Sequence, residues 1–386
     1  MKIVYCTDSI CYAGGIQRIT ISKANALSQI EGNEVWIIVT DNKQKPVLPI
    51  DSKVHIIDLD INYFADDWKS KWHVLKGIFI KRKLHKKKLT VALNEIRPDI
   101  VISTGTSEKN FLPGISSISS KPAFIREIHN TKNYRSLAAT NVFYKTLAFL
   151  GDIIDYNIYI KKYHRIVVLT NEDKETNWKY DDNVVVIPNP LTSPCTLQSS
   201  LENKTVIAVG RLVPQKNFSS LIEAWVHVAE KHPDWTLEIW GEGHLRIELE
   251  NLIAKLNLKK QVFLKGYTYD IQEKMLNASI YTMSSIFEGL PLVLIEAMSA
   301  GLPAISYICP CGPKDVITEG KDGYLVAVND EKTLAKRICH LIENENLRKE
   351  MGNNAIEKIK EYQTDVIIQE WLKVFNNLLI RKRNHD

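Results

Sequence analysis

Short runs of β-branched and aliphatic residues recur along the chain, separated by longer stretches with helical spacing. In the first half the runs are KIVYC (2–6), VWIIVT (35–40), DIVIST (99–104) and RIVVLT (165–170). In the second half they are TVIAVG (205–210), TLEIW (236–240), VFLKG (262–266), SIYTM (279–283) and PAIS (303–306). Unbroken apolar runs of this length, alternating with helices, predict α/β folding around parallel strands covered on both faces. Between the two series lies IPNPLTSPCTLQSSLENK, 187–204, whose Pro, Ser and Asn content predicts a linker. The expected domains are therefore 1–190 and 191–363. A final helix from about 364 to 380 carries Val366, Ile367, Trp371, Val374, Phe375 and Leu378 on one stripe. That stripe needs a surface, and residues 364–386 are expected to return to the first domain for it. No solenoid-type repeat is visible.

Two open parallel sheets each offer a ligand edge at the carboxyl ends of their strands. The expected architecture is thus two Rossmann-like, doubly wound domains facing across a cleft. The length of 386 residues, with 45% apolar and 25% charged positions, fits two ordinary cores. No apolar run reaches the ~18 residues of a bilayer span. The start, MKIVYCTDSI, reads as a core strand rather than a leader, so a cytoplasmic location is expected. The six cysteines are scattered. Cys309 and Cys311 have neither redox CxxC spacing nor a second pair to complete a zinc site.

Charge is unevenly divided. Residues 1–190 hold 27 Lys+Arg against 20 Asp+Glu, a surplus of 7. The remainder holds 23 against 25, which leaves the net +5. The surplus concentrates in WKSKWHVLKGIFIKRKLHKKK, 68–88, where Trp68, Trp72, Leu75 and Phe79 recur at helical spacing among lysines. This stretch fits an anionic membrane surface, or equally a packed helix with a solvated basic face. No nucleic-acid recognition motif accompanies it, so nucleic acid is not an expected partner.

Three segments carry candidate chemistry. In SIFEGLPLVLIEAMSAGLP, 285–303, Glu288 sits at a strand's carboxyl end and Glu296 inside the following helix. Their carboxylates are on the order of 10 Å apart along the axis, too far to share a proton. Between them the amides of Gly289, Leu290 and Leu292, with Pro291 in the first turn, form a helix start suited to phosphate. Carboxylate, phosphate site and carboxylate in series match an elongated ligand such as a nucleotide sugar. On spacing alone, a loop residue and a structural carboxylate fit equally well. GRLVPQKN, 210–217, follows a strand and places Arg211 and Lys216 where they would neutralise a departing diphosphate. YAGGIQR, 12–18, supplies Gly14 and Gly15 for close backbone approach before a helix, without the third glycine of a dinucleotide fingerprint.

These motifs in this order resemble glycosyltransferase family 4 of the GT-B fold, over nearly the whole chain. The resemblance implies a retaining transferase that moves a hexose or N-acetylhexosamine from a nucleoside-diphosphate sugar, a UDP-sugar in the favoured case. The acceptor it implies is a glycan, lipid-linked as in capsule or O-antigen assembly, and it implies no cofactor or metal. By position, Glu296 would bind the ribose, Glu288 the transferred sugar, and Arg211 and Lys216 the diphosphate. The amides of Gly15 and of 289–292 would assist, and Gly266 and Tyr267 would face the base. His129, in REIHN (126–130), would stand near the sugar, in a catalytic role with Glu288, Arg211 and Lys216.

Two alternatives share these features: a GT-B-like nucleotide-sugar epimerase and a non-catalytic partner subunit. The sequence departs from the commoner family pattern twice. Pro190 stands where many members have glycine, and YICPCGPKDVI (307–317) replaces the frequent Gly-Gly loop.

Overall fold

The structure is a computed structural model. It describes residues 1–11, 14–41, 44–46, 48–63, 71–132, 134–139 and 141–383, with backbone alone for 71–78, 138 and 383. The chain divides into two compact units. The first comprises Met1–Leu169, Asn177–Thr192 and Thr364–Asp386, and the second Thr170–Thr176 and Ser193–Gln363.

The first unit holds seven parallel strands: β1 (Lys2–Thr7), β2 (Glu34–Val39), β3 (Val54–Asp58), β4 (Ile100–Ser103), β5 (Ala123–Glu127), β6 (Arg165–Val168) and β7 (Val184–Val186). Their order is β3-β2-β1-β4-β5-β6-β7, so the winding reverses between β1 and β4. β1, β2, β4 and β6 are short and nearly unbroken in apolar character because helices cover both faces. On one face Ile3, Tyr5 and Ile102 pack with Ile367, Ile368, Trp371, Phe375 and Leu378 of the helix Thr364–Arg383. On the other, Val4, Val101 and Phe124 pack with Leu89 and Leu93 of the helix Lys71–Ile96. In the basic stretch 68–88, residues 68–70 and the side chains of 71–78 lie outside the described set.

The second unit holds six parallel strands: β8 (Thr205–Val209), β9 (Thr236–Trp240), β10 (Val262–Gly266), β11 (Ile280–Met283), β12 (Ala304–Tyr307) and β13 (Gly323–Val326). Their order, β10-β9-β8-β11-β12-β13, reverses between β8 and β11. Both units are therefore doubly wound, and each has its crevice where two adjacent strands send their connections to opposite faces.

Each apolar run quoted above overlaps a strand, within two residues at either end. β3, β5, β7 and β13 are additional. β5 ends in Arg126 and Glu127, both buried, and charged residues interrupt the apolar signature of a core strand. Among the described residues none of the six cysteines forms a disulfide. No helix among them is long and apolar enough to cross a membrane.

Candidate active site

In the second unit the reversal point carries the charged residues. β8 runs directly into Gly210 and Arg211, and a 3-10 turn over Pro214–Lys216 leads to the helix Phe218–Lys231. β11 runs into residues 284–291 and then the helix Leu292–Ser299. Because β8 and β11 pair side by side, two segments 72 residues apart are brought into contact. Lys216 Nζ donates to Glu288 Oε1 at 2.6 Å, with both side chains largely buried. Three further bonds fix the pair. Gln215 Nε2 donates to the Phe287 carbonyl at 2.9 Å, and the Ile286 amide donates to the Gln215 carbonyl at 2.9 Å. The Ser284 hydroxyl donates to the Lys216 carbonyl at 2.8 Å. Arg211 stands exposed at the mouth of the same loop.

The helix start follows at once. Pro291 is the residue ahead of the first turn, and the amides of Leu294 and Ile295 both return to its carbonyl. The amides of Leu292 and Val293 thus precede the first intrahelical bond, as the donors of a helix start do. Glu296, in the second turn, is buried. Burial, then the charges of Glu288 and Glu296, push the buried Tyr281 hydroxyl well above its ordinary range. Tyr281, on β11, therefore lies within the field of both carboxylates.

The unusual loop after β12 buttresses this segment. The Glu288 amide donates to the Pro310 carbonyl at 3.2 Å. Gly312 has φ +113°, and a Cβ there would lie 2.5 Å from Pro291 Cδ and 3.2 Å from the Gly289 carbonyl oxygen. Only glycine meets both demands. Cys309 and Cys311 are buried beneath it, and the Cys311 amide donates to Glu172 Oε2 at 3.0 Å. Burial, then Glu288, raises the Cys309 thiol well above its ordinary value, so it stays protonated and inert. Gly266 ends β10 with φ +83°, and Tyr267 beyond it is exposed, edge-on to Tyr269 at 5.0 Å.

Gly14, Gly15 and His129 belong to the first unit. Gly14 caps the helix Gly15–Ser28, while 12 and 13 lie outside the described residues. The His129 side chain is largely enclosed just beyond β5, with Nε2 3.6 Å from Glu127 Oε1. Burial first, then Lys23 and Arg126, lower its imidazole to about 4 against the pull of Glu127, so it is neutral at neutral pH. Glu127 makes a fully buried ion pair with Lys23, from the helix that Gly15 begins. Burial works to raise the Glu127 carboxyl, but Lys23, by charge and hydrogen bond, together with Arg126 outweighs it and holds it charged. Lys23 Nζ also lies 4.5 Å from the Trp371 ring centre. The Gly-Gly helix and the candidate histidine are thereby tied through one buried pair.

Lys23 and Glu127 went unremarked in the sequence, where a lysine in a mid-helix ISKANALS reads as surface. The same holds for the carboxylates at the first unit's own reversal point. Asp8, after β1, accepts from the amides and hydroxyls of Thr106 and Ser107. Glu108 accepts from the Ser103 hydroxyl at 2.7 Å, and burial, then Asp8, raises it to about 7. Among the described residues no group of three or more His, Cys, Asp or Glu could hold a metal ion.

Residues 196–358 match the family model described as glycosyl transferases group 1. An uncharacterized glycosyltransferase of Haemophilus influenzae is 29% identical over 374 residues, 96% of this chain and 98% of that protein. A Campylobacter jejuni alpha-1,4-N-acetyl-D-galactosaminyltransferase, named for a diNAcBac-PP-undecaprenol-linked GalNAc disaccharide, is 27% identical, covering 97% of this chain and 98% of its own. The crystal structure of TarM superposes with a TM-score of 0.78 at 18% identity, covering 97% and 98% of the two chains. A Staphylococcus aureus TarM variant in complex with fondaparinux, alpha-GlcNAc-glycerol and UDP gives 0.73 at 18% identity, covering 97% and 99%. The shared architecture is GT-B.

Proposed function

From a chain that is a glycosyltransferase, with the group 1 model across its second unit, we propose retaining transfer of a hexose or N-acetylhexosamine from a UDP-sugar to a lipid-linked glycan. The setting in this reading is surface polysaccharide synthesis. The observation that carries it is the Lys216–Glu288 pair at the reversal point of the second sheet, followed immediately by a helix start and the buried Glu296. An anion, a polar sugar and a vicinal diol are the groups that such a series complements. The nucleotide in the TarM complex and the undecaprenol-linked acceptor in the Campylobacter relative's name support the choice of donor and acceptor.

In this reading Arg211, Lys216 and the amides of Gly289, Leu290 and Leu292 hold the diphosphate. Glu288 meets the transferred sugar, Glu296 the ribose, and Gly266 with Tyr267 the base. Departure of the nucleotide builds negative charge on the diphosphate and positive charge at the anomeric carbon. Fixed cations and aligned amides stabilise the first charge most in the transition state, and the carboxylate of Glu288 favours the second. Lys216 is shared with Glu288 before the donor arrives, so the diphosphate competes for a cation already in place. No metal is assigned a part.

Thermal-shift titration against UDP-, GDP- and ADP-sugars tests the assignment. A UDP-sugar is expected to raise the melting temperature in wild type and not in Glu296→Ala. Stabilisation of both proteins alike, or of neither, refutes the site.

A further inference from the structure

The helix Val142–Ile154 inverts the usual arrangement of a surface helix. Its one buried residue is Asp152, and Val142, Phe143, Leu147, Leu150 and Ile154 are exposed, Val142 to 80% and Phe143 to 67%. The segment continues through a π turn at Asp155–Tyr159 and a 3-10 turn at Ile160–Lys162, with Ile158 also exposed. Its only carboxylates, Asp152 and Asp155, are buried and neutralised by Arg135 and Lys109. Its lysines, Lys145, Lys161 and Lys162, are all exposed. The outward surface of 141–162 is therefore apolar with positive charge alone.

A second surface of the same character lies nearby. On the helix Lys71–Ile96, Phe79, Ile80 and Leu84 are exposed beside Lys83, Lys86 and Lys87. Arg82 of that helix lies over the Phe111 ring, two residues from the Lys109 that holds Asp155. Both helices thus meet one short segment after β4.

We propose that the helix Val142–Ile154 docks on an anionic lipid bilayer, with its apolar side chains in the interface and its lysines among the headgroups. Charge selects this occupant. A bilayer bearing phosphate complements a surface with no exposed carboxylate, and aromatic and aliphatic side chains interleaved with lysine suit the headgroup boundary. A second copy of the chain in a two-fold contact would place the same lysines against one another. Docking goes beyond the transfer reaction and is measured without donor or acceptor, so it stands or falls separately from that reading.

The test is co-sedimentation of the full chain with phosphatidylcholine vesicles, with and without phosphatidylglycerol, at low and high salt. Wild type is expected to bind the phosphatidylglycerol vesicles, more weakly at high salt. The triple substitution Phe143→Ser, Leu147→Ser, Leu150→Ser is expected to weaken binding roughly ten-fold or more with a nearly unchanged melting temperature, since these side chains are half exposed or more. Three outcomes overturn the proposal. Wild type stays in the supernatant at low salt, or the triple variant binds like wild type, or light scattering finds a dimer that the triple substitution dissolves without any vesicle binding.

Discussion

Replacing Lys216 with alanine tests the centre of the site. The ammonium lies 2.6 Å from Glu288 Oε1, with the two side chains 17% and 10% exposed. That places the pair between a solvated one, worth about 0–1 kcal/mol, and a fully buried one, whose breakage costs about 3–5. A stability loss of about 1–3 kcal/mol is expected, because Glu288 is left without its counter-charge beneath the loop after β12. The effect on turnover should be larger. Loss of one group that stabilises transition-state charge costs about 3 kcal/mol, or about 10²-fold in rate. Glu288→Gln in the Lys216→Ala background removes the stranded charge and should return most of the lost stability without returning activity. Denaturant unfolding gives the stability cycle, and nucleotide release from the donor identified by thermal shift gives the rates. The reasoning fails if Lys216→Ala turns over within three-fold of wild type, or if the two substitutions are additive in stability. Additivity would mean that the 2.6 Å contact carries no coupling.

Two further perturbations probe the supports of the site. Gly312→Ala forces a left-handed φ on a residue whose Cβ meets the rigid Pro291 ring, at a cost of about 1–3 kcal/mol. The segment 289–291 must shift, and nucleotide affinity measured by calorimetry should fall about ten-fold or more; an unchanged affinity would detach that loop from the ligand. His129 titrates in the folded state at about 4 and near 6.5 when unfolded. The unfolded chain therefore binds the extra proton first, and stability is lost as pH falls from about 7 toward 4. His129 alone should remove about 2 kcal/mol between pH 7 and 5, so His129→Gln should show a shallower decline over that interval. His85, also lowered to about 4, keeps part of the slope in both proteins. Equal slopes in wild type and variant would mean that the imidazole is not shielded as described.

How much of this was legible in the sequence depends on where each charge ends up. Apolar runs of four or more residues identify a strand most readily when nothing charged interrupts them, which is why β1, β2, β8 and β11 are visible and β5 is not. β5 is as buried as its neighbours, but Arg126 is held by the Ser103 and Gly105 carbonyls and Glu127 by Lys23, partners that only the folded sheet supplies. The same limit applies at the site. Arg211, Lys216, Glu288 and Glu296 stand out as residues, but the contact of Lys216 with Glu288 follows from β8 lying beside β11, and strand order is written in no local pattern.

Pattern reading assumes that a helix turns its apolar side chains inward and its charges outward. The first unit breaks that assumption in both directions. Lys23 is inside because Glu127 and the Trp371 ring offset its desolvation. Asp152 and Asp155 are inside because Arg135 and Lys109 reach them, and the helix Val142–Ile154 consequently turns Phe143, Leu147 and Leu150 outward. A helix anchored through its acids has no choice about where its apolar face goes. VFYKTLAFLGDII reads as core by composition, and the ion pairs that hold Asp152 and Asp155 inward make it a surface.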